Sequence, residues 1–508
     1  MSKNTSKMPR LKRALALLLI VAAAGTVGFS QASTDPEKIL MNSAAQTMAP
    51  KQGGLMLDTA RHFYPVSVIK DFIDTIARSG GNFLHLHFSD HENYALESKI
   101  LNQRAADAKR NADGVYINPL TNKPFLSFEQ LEEIKAYAKS KNIDLIPEVD
   151  SPNHMTTIFT LLEAHRGKDF VNAIKSRYSD EEINITNPES IAFMKSLIGE
   201  VADAFGNSSS HFHIGGDEFG YSVDSNHEFI AYANELATFL KQKGLTTRIW
   251  NDGIIKATVD KLNHEIQVTY WSYDGDVENK QTAQERRRIR VSMPELIDRG
   301  FNVLNYNSYY LYVNPKQDWG TSYNSDFATR DIINRWSLGV WDGENQKNAI
   351  KDTSKIMGAA LAIWGENAGS MSSKTIQKYT SGLLESIIRK TRSESDSGDK
   401  LMQNLAVLSG NSLKQSYVDW SLIQDGEALN LQDNGTESLH LLQEQALQKR
   451  KNLNVWVRGA ENNKVVLNGH WQKTEDIAEK EGVNYRAYKY LDNTLWIDKK
   501  VPIELFAG

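Results

Sequence analysis

Between Gly54 and Arg392 the chain alternates eight times between a short apolar run and a longer helical pattern. The runs are Gly54–Asp58, Phe83–Asp90, Asp144–Asp150, His211–Gly215, Thr247–Asp252, Gln267–Tyr273, Phe301–Asn307 and Gly358–Trp364, and each reads as a strand. Between them, apolar residues recur at helical spacing, as in Val68, Ile69, Phe72, Ile73 and Ile76. Gly80 and Gly81 stop that helix, Ser127 caps the next (Phe128–Lys141), and Pro188 opens another that runs to Phe205. Further helices are predicted over 228–243, 293–299 and 375–392. Strand–helix–strand repetition requires crossover connections, hence a parallel sheet with α/β character. Eight repeats predict a closed (β/α)8 TIM barrel; an open, doubly wound sheet is the alternative. The stretch of about Glu92–Leu126 is predicted as a long irregular insertion, and a second insertion lies between Asp150 and Pro188.

The strand ends favour the barrel. They carry Asp58 and Arg61; Asp90 and His91; Asp150; Asp217 and Glu218; Trp250 and Asp252; Trp271 and Asp274; Tyr306 and Asn307; Trp364 and Glu366. A barrel gathers the C-terminal ends of all its strands around one site, which an open sheet does not. The fourth run, His211-Phe212-His213-Ile214-Gly215-Gly216-Asp217-Glu218, is the most pointed. Neighbouring side chains on a strand face opposite ways, so two adjacent acids serve one site only past the strand end, where the glycines let the backbone turn. Their mutual repulsion should raise the pKa of at least one, as a general acid working near neutral pH requires. Trp250, Trp271 and Trp364 add flat apolar surfaces to a ring of hydroxyl-binding groups, a lining suited to a sugar.

Outside the barrel the sequence changes character. Five basic residues precede an apolar run from Ala14 to Ala24, and Ser30-Gln31-Ala32 offers a cleavage point, so residues 1–32 read as a secretory signal and 33–52 as a linker. Loss of 1–32 removes five basic residues and no acid, taking the formal net charge from −5 to −10. Such a chain suits a neutral or cationic partner and is a poor candidate for nucleic acid. The basic run within Glu285–Arg290 therefore reads as a solvated helix face. The absence of Cys excludes disulfides, thiolate metal sites and a Cys nucleophile. Residues 393–400 form a charged, Ser-rich linker after the barrel domain 53–392. Residues 401–508 are expected to open with helical stretches and end as a small β-rich C-terminal accessory module, in which Trp456, Trp471, Tyr488, Tyr490 and Trp496 are mostly core.

Paired histidines (His85 and His87, His211 and His213) raise the question of a metal, but no clear clustered ligand set is visible in the sequence, and neither metal nor cofactor is expected.

His213-Ile214-Gly215-Gly216-Asp217-Glu218 matches the His-x-Gly-Gly-Asp-Glu signature of glycoside hydrolase family 20, the β-N-acetylhexosaminidases, which the chain resembles over 53–392. Leu55–Asp58, Asn82–Tyr94, Asp150–Met155, Trp271–Asp276 and Leu304–Tyr312 further resemble its biofilm-dispersing members, which cleave poly-β-1,6-N-acetylglucosamine. The resemblance implies a retaining, substrate-assisted reaction, an exception to the two-carboxylate scheme. The substrate's 2-acetamido oxygen attacks the anomeric carbon, Glu218 is the acid and base, Asp217 orients the acetamide, and Tyr312 holds its oxygen. It further implies substrate contacts from Arg61, Trp250, Trp271, Trp364 and Glu366, and from Tyr221 and Asp276 on the sugar or the next unit. His154, with Asp90 behind it, is implied as support for Glu218. The expected protein is a secreted, extracellular monomer (periplasmic and cell-surface placement being variants), free of the membrane once the signal is removed. Its expected partner is an N-acetylglucosamine polysaccharide. The alternatives are action on β-1,4 chitin-type or glycoprotein ends, and a non-catalytic glycan-binding role.

Overall fold

The computed structural model describes residues 50–392 apart from 276, 278, 317–327, 330, 334 and 344, and then 428–430, 438–441, 454–458, 464–468, 471–480, 482–490 and 493–506. The signal expected over 1–32 and the linker expected over 33–52, as far as residue 49, lie outside the described residues, and the linker ends by Gln52, where the first strand begins. The linker 393–400 and the helical stretches expected after it also lie outside the described residues.

Eight parallel strands close on themselves: β1 (Gln52–Asp58), β2 (Phe83–His87), β3 (Asp144–Ser151), β4 (His211–Gly215), β5 (Thr246–Trp250), β6 (Gln267–Tyr270), β7 (Val303–Asn305) and β8 (Ile356–Ile363). Closure is made by β1 on β8, with Leu55 opposite Leu361 and Leu57 opposite Ile363. A two-residue strand, Tyr312–Val313, adds to the far end of β8. The fold is therefore the (β/α)8 barrel that the alternation predicts, with both faces of each strand covered and the strands reading as near-continuous apolar runs.

The helices form where their signals stand. The first (Val66–Arg78) buries Val68, Ile69, Phe72, Ile73 and Ile76, which removes most of its apolar stripe from water at about 1.5–3 kcal/mol per side chain. Ser127 caps Phe128–Ser140 in a reciprocal capping box with Gln130, and Asn187 caps Pro188–Phe205, where Pro188 occupies the first turn. The first insertion holds more order than expected, and the second is helical. The first contains three two-residue strands, Lys109–Arg110, Tyr116–Ile117 and Pro124–Phe125. The second contains two helices, Thr156–Arg166 and Lys168–Ile174. Among the described residues no helix is long and apolar enough to cross a membrane.

The C-terminal β-rich region is built by repetition. Ala428–Asn430, Asn454–Arg458 and Asn493–Asp498 pair in parallel in one sheet; Ser438–Leu441, Lys464–Asn468 and Ile503–Phe506 pair in parallel in a second, in the same order. The same sequential order thus recurs in both sheets, and an antiparallel hairpin, Gln472–Lys480 with Val483–Tyr490, extends the first sheet. Trp456 and Trp496 lie opposite each other in register and stack at 5.0 Å, so each ring spends a face on the other. Trp471 and Tyr488 are buried, as expected of core; the Tyr490 side chain lies outside the described residues.

Candidate active site

Strand β4 ends at Gly215, and the next residues turn sharply: Gly215 has φ 81°, Gly216 φ 96° and Glu218 φ 53°. A Cβ at Gly215 would sit 1.9 Å from Asp150 Oδ1, so no other residue fits. The turn brings both acids to one cavity of about 280 Å³, lined also by Arg61, His154, Trp250, Trp271, Gly275, Tyr312, Asn314, Trp364 and Glu366. Asp217 is largely covered (15 % of the side chain exposed), whereas Glu218 is open (64 %).

His154, itself at φ 65° in the turn after β3, stands between the acids. Its Nε2 lies 3.5 Å from Asp217 Oδ2 and 3.6 Å from Glu218 Oε2, and its Nδ1 lies 3.1 Å from Asp90 Oδ1. Burial opposes a charge on this imidazole, but Asp217 and Asp90 outweigh it and raise its pKa to about 9. Beside neutral pH His154 is a cation shared by three carboxylates. Glu218 is pushed above the usual carboxylate range chiefly by partial burial, with Asp217 and Asp252 adding and His154 and Arg61 opposing. Repulsion between neighbouring acids, the cause anticipated from sequence, is thus real but second to desolvation.

Behind His154 the charges continue inward. Asp90 also meets His87 Nε2 at 2.7 Å and Arg61 Nη2 at 2.8 Å. Arg61 is further held by Asp58 at 3.2 Å and Glu92 at 3.4 Å, and its guanidinium lies 5.5 Å from the Trp364 ring centre. Glu148, wholly buried, takes His85 at 2.9 Å, His87 at 2.7 Å, His213 at 3.0 Å and the Trp250 indole N–H at 2.8 Å. Burial works against its charge, yet these imidazoles hold it well below the carboxylate range. Asp150 goes the other way: burial first, then Asp217 and Glu148, raise it far above that range.

The opposite wall is aromatic. Trp271 stacks on Tyr312 at 5.8 Å and 7°, Tyr312 meets Trp364 at 5.6 Å, and Trp364 meets Trp250 at 6.0 Å. Ring on ring, these residues carry the apolar core of the barrel interior up to the cavity.

The sequence profile of glycosyl hydrolase family 20, catalytic domain, matches residues 52–379. The chain belongs to family 20. The crystal structure of Dispersin B is 62 % identical, with a TM-score of 0.66, and the match covers 67 % of this chain and 99 % of that one. A β-hexosaminidase of Akkermansia muciniphila is 23 % identical over 64 % of this chain and 65 % of its own length. A lacto-N-biosidase of Bifidobacterium bifidum is 26 % identical over 53 % of this chain and 24 % of its own, so the chain spans only about a quarter of that protein.

Most residues named from the family 20 resemblance meet at this cavity. Asp217, Glu218, Tyr312, Arg61, Trp250, Trp271, Trp364, Glu366 and His154 line it, and Asp90 lies directly behind. Tyr221 does not join the lining; its hydroxyl is turned to Asp252 at 3.0 Å. Asp276 lies outside the described residues. Asp150 and Asp252 were read only as strand-end groups, without a role, and Glu148, inside its run, was missed, because a sequence does not say which acid a closed barrel will bury.

Two expectations need correction. The basic run is not a solvated face. In the helix Lys280–Ile289 and its cap, Arg287 clamps Asp342 at 2.9 and 3.0 Å and Asp274 at 2.8 Å, and Arg290, buried, meets Asp252 at 2.9 Å. Helical spacing turns these cations to the barrel rim, where acids from other loops wait; periodicity showed the face but not the partners. Clustered potential ligands do exist, such as His85, Glu148 and His213, whose donor atoms lie within 4.8 Å of one another. Their close contacts are already made among themselves and with Trp250, which completes the group as a hydrogen-bonded network, and we assign it no metal.

Proposed function

We propose that this chain is a secreted β-N-acetylhexosaminidase that cleaves β-1,6-linked poly-N-acetylglucosamine, the exopolysaccharide of biofilms, with retention and by substrate assistance. The observation that carries the reading is the pair Asp217–Glu218 on one turn, facing Tyr312 across a cavity walled by Trp250, Trp271 and Trp364. Two adjacent carboxyls on one side of a sugar suit a reaction in which the attacking atom belongs to the substrate. The acetamido oxygen bonds to the anomeric carbon as the glycosidic bond breaks, and the leaving oxygen takes its proton from Glu218. Asp217 orients the acetamide N–H and stabilises the positive charge of the oxazolinium, while Tyr312 holds the acetamide oxygen at attacking distance. Water then gives a proton to the Glu218 carboxylate, attacks the same carbon and reopens the ring. Arg61 and Glu366 take hydroxyls of the terminal sugar, and the cation His154, backed by Asp90, steadies Asp217 and Glu218. We propose Asp276 as a contact toward the next unit; Tyr221, whose hydroxyl is spent on Asp252, is not one.

The likeness to Dispersin B, over nearly all of that chain, supports the β-1,6 choice. The leader-like composition of residues 1–32 supports export, and the acidic balance after its loss suits a partly de-N-acetylated, cationic polymer. The test is product analysis on defined β-1,6 and β-1,4 N-acetylglucosamine oligomers, with the anomer of the first product read by NMR. Release from β-1,6 oligomers with retained configuration is expected. Preference for β-1,4 oligomers would move the substrate to chitin-type ends, inversion would remove the mechanism, and binding without release would leave a glycan-binding protein.

A further inference from the structure

Asp252, just past β5, is fully buried and spends both oxygens on groups that matter to the cavity without lining it itself. Oδ2 accepts the Trp271 indole N–H at 2.6 Å. Oδ1 accepts the Tyr221 hydroxyl at 3.0 Å and Arg290 Nη2 at 2.9 Å. Tyr221 follows Glu218 by three residues, and its ring is covered by Arg286 and Arg290, whose guanidinium carbons lie 4.6 and 5.0 Å from its centre. Gly275, which lines the cavity at φ 76°, lies under the same two arginines: a Cβ there would come within 2.3 Å of Arg286 and 3.2 Å of Arg290. The neighbouring Asn251 repeats the pattern, accepting the Trp271 backbone N–H at 2.8 Å and donating to the Ser272 carbonyl at 2.7 Å. A buried carboxylate that satisfies two aromatic donors and one guanidinium fixes all three against one another, since releasing any of them would leave a desolvated charge short of a partner.

We infer that Asp252 is a positioning residue of the reaction proposed above. Through Trp271 it sets the ring on which Tyr312 stacks, and through Tyr221 it ties that wall to the loop that carries Glu218. Arg290 supplies the compensating charge. The inference rests on the hexosaminidase reading and extends it to a residue outside the cavity lining. It carries a second consequence. Besides partial burial, Asp252 and Asp217 favour the proton on Glu218, against His154 and Arg61. Tyr221, Arg290 and Trp271 meet Asp252 itself, Arg286 lies over the Tyr221 ring and also reaches the Asp274 carbonyl, and Asp274 pairs with Arg287.

The test compares wild type, Asp252→Asn, Arg290→Lys and Trp271→Phe on an aryl β-N-acetylglucosaminide across pH, with far-UV circular dichroism as the check on folding. Asp252→Asn should lower kcat by about tenfold to a hundredfold with a smaller change in KM, the scale of misplacing reacting groups. Its alkaline limb of kcat/KM, where Glu218 loses its proton, should move to lower pH. Arg290→Lys keeps a cation and should hold the limb at its wild-type position. Trp271→Phe keeps a ring but drops the N–H, and should lose kcat in the same sense, with no further loss when added to Asp252→Asn; it serves alone if Asp252→Asn does not fold. A folded Asp252→Asn, or a Trp271→Phe, with wild-type kcat and an unmoved limb would overturn the inference. Failure of wild type itself to release the aryl group would instead bring down the reading beneath it, and this inference with it.

Discussion

The two halves of the barrel mouth are made of different material. Strands β1 to β4 and their loops deliver charge: Asp58, Arg61, His87, Asp90, Glu148, His154, Asp217 and Glu218 form one connected network, with Asp150 beside Asp217. Strands β5 to β8 deliver rings: Trp250, Trp271, Tyr312 and Trp364 touch in sequence around the other side. The difference separates two tasks. Moving a proton needs titratable groups whose desolvation is offset by partners, and holding a sugar needs flat surfaces that stay still. The halves meet where Glu148 grips the Trp250 indole and where the Arg61 guanidinium lies over Trp364.

The sharpest way to break the comparison is to disable one half and leave the other whole. Glu218→Gln should cost about 10²–10⁴ in kcat on a substrate with a poor leaving group, the range for a lost general acid. On an activated aryl glycoside the loss in the first step should be much smaller, and oligosaccharide binding should persist in isothermal titration. A Glu218→Gln protein that still cleaved oligomers at near wild-type rate would show that the charged half does not supply the proton.

The converse change falls on the rings. Trp364→Ala opens the wall beside Tyr312 and removes the surface under Arg61. A tenfold to hundredfold loss of kcat/KM is expected, on the order of 1.4–2.8 kcal/mol of lost transition-state binding, while the pH profile keeps its shape. A shifted alkaline limb in this variant would mean that the aromatic half also sets the acid's proton affinity.

How much of this contrast could be read in advance differs between the halves. The strand alternation, the turn at Gly215–Gly216 and the tryptophans at strand ends were legible, because each follows from spacing along one segment. The ionic half was legible only at its surface. Asp217, Glu218 and Arg61 stood out at strand ends and His154 came through the family resemblance, but Glu148, Asp150 and Asp252 owe their behaviour to what surrounds them after closure. Adjacency in sequence said that Asp217 and Glu218 repel; it could not say that burial contributes more to Glu218. Likewise the arginines of Lys280–Ile289 and its cap, Arg290, read as solvent-facing until Asp274, Asp342 and Asp252 arrived from three other loops.

A milder perturbation sharpens the account of the charged half. The folded pKa of His154, about 9, is above the 6.5 of the free side chain. Its stabilising contribution is therefore complete below 6.5 and is lost as pH rises through about 9. His154→Gln should melt at lower temperature than wild type below the first of these values, and the gap should close above the second. A gap that stayed constant with pH would mean that the imidazole acts by packing and not by charge.

The smallest effect is expected at Asp150, and its smallness is informative. This carboxyl is as buried as Glu148, yet the two go opposite ways, because Glu148 faces three imidazoles and an indole while Asp150 faces Asp217. Neither Asp150 oxygen meets an N–H or O–H donor among the described residues, so the stable arrangement is a neutral carboxyl that gives its proton toward Asp217. An amide reproduces both the shape and the donor. Asp150→Asn should thus stay within a fewfold of wild type in kcat/KM, whereas Asp150→Leu, which removes the donor beside Asp217, should fall well below it. If the amide proved as damaging as leucine, Asp150 would have to work as an anion, and the charged half would hold one more negative charge than its partners around Asp217 can balance.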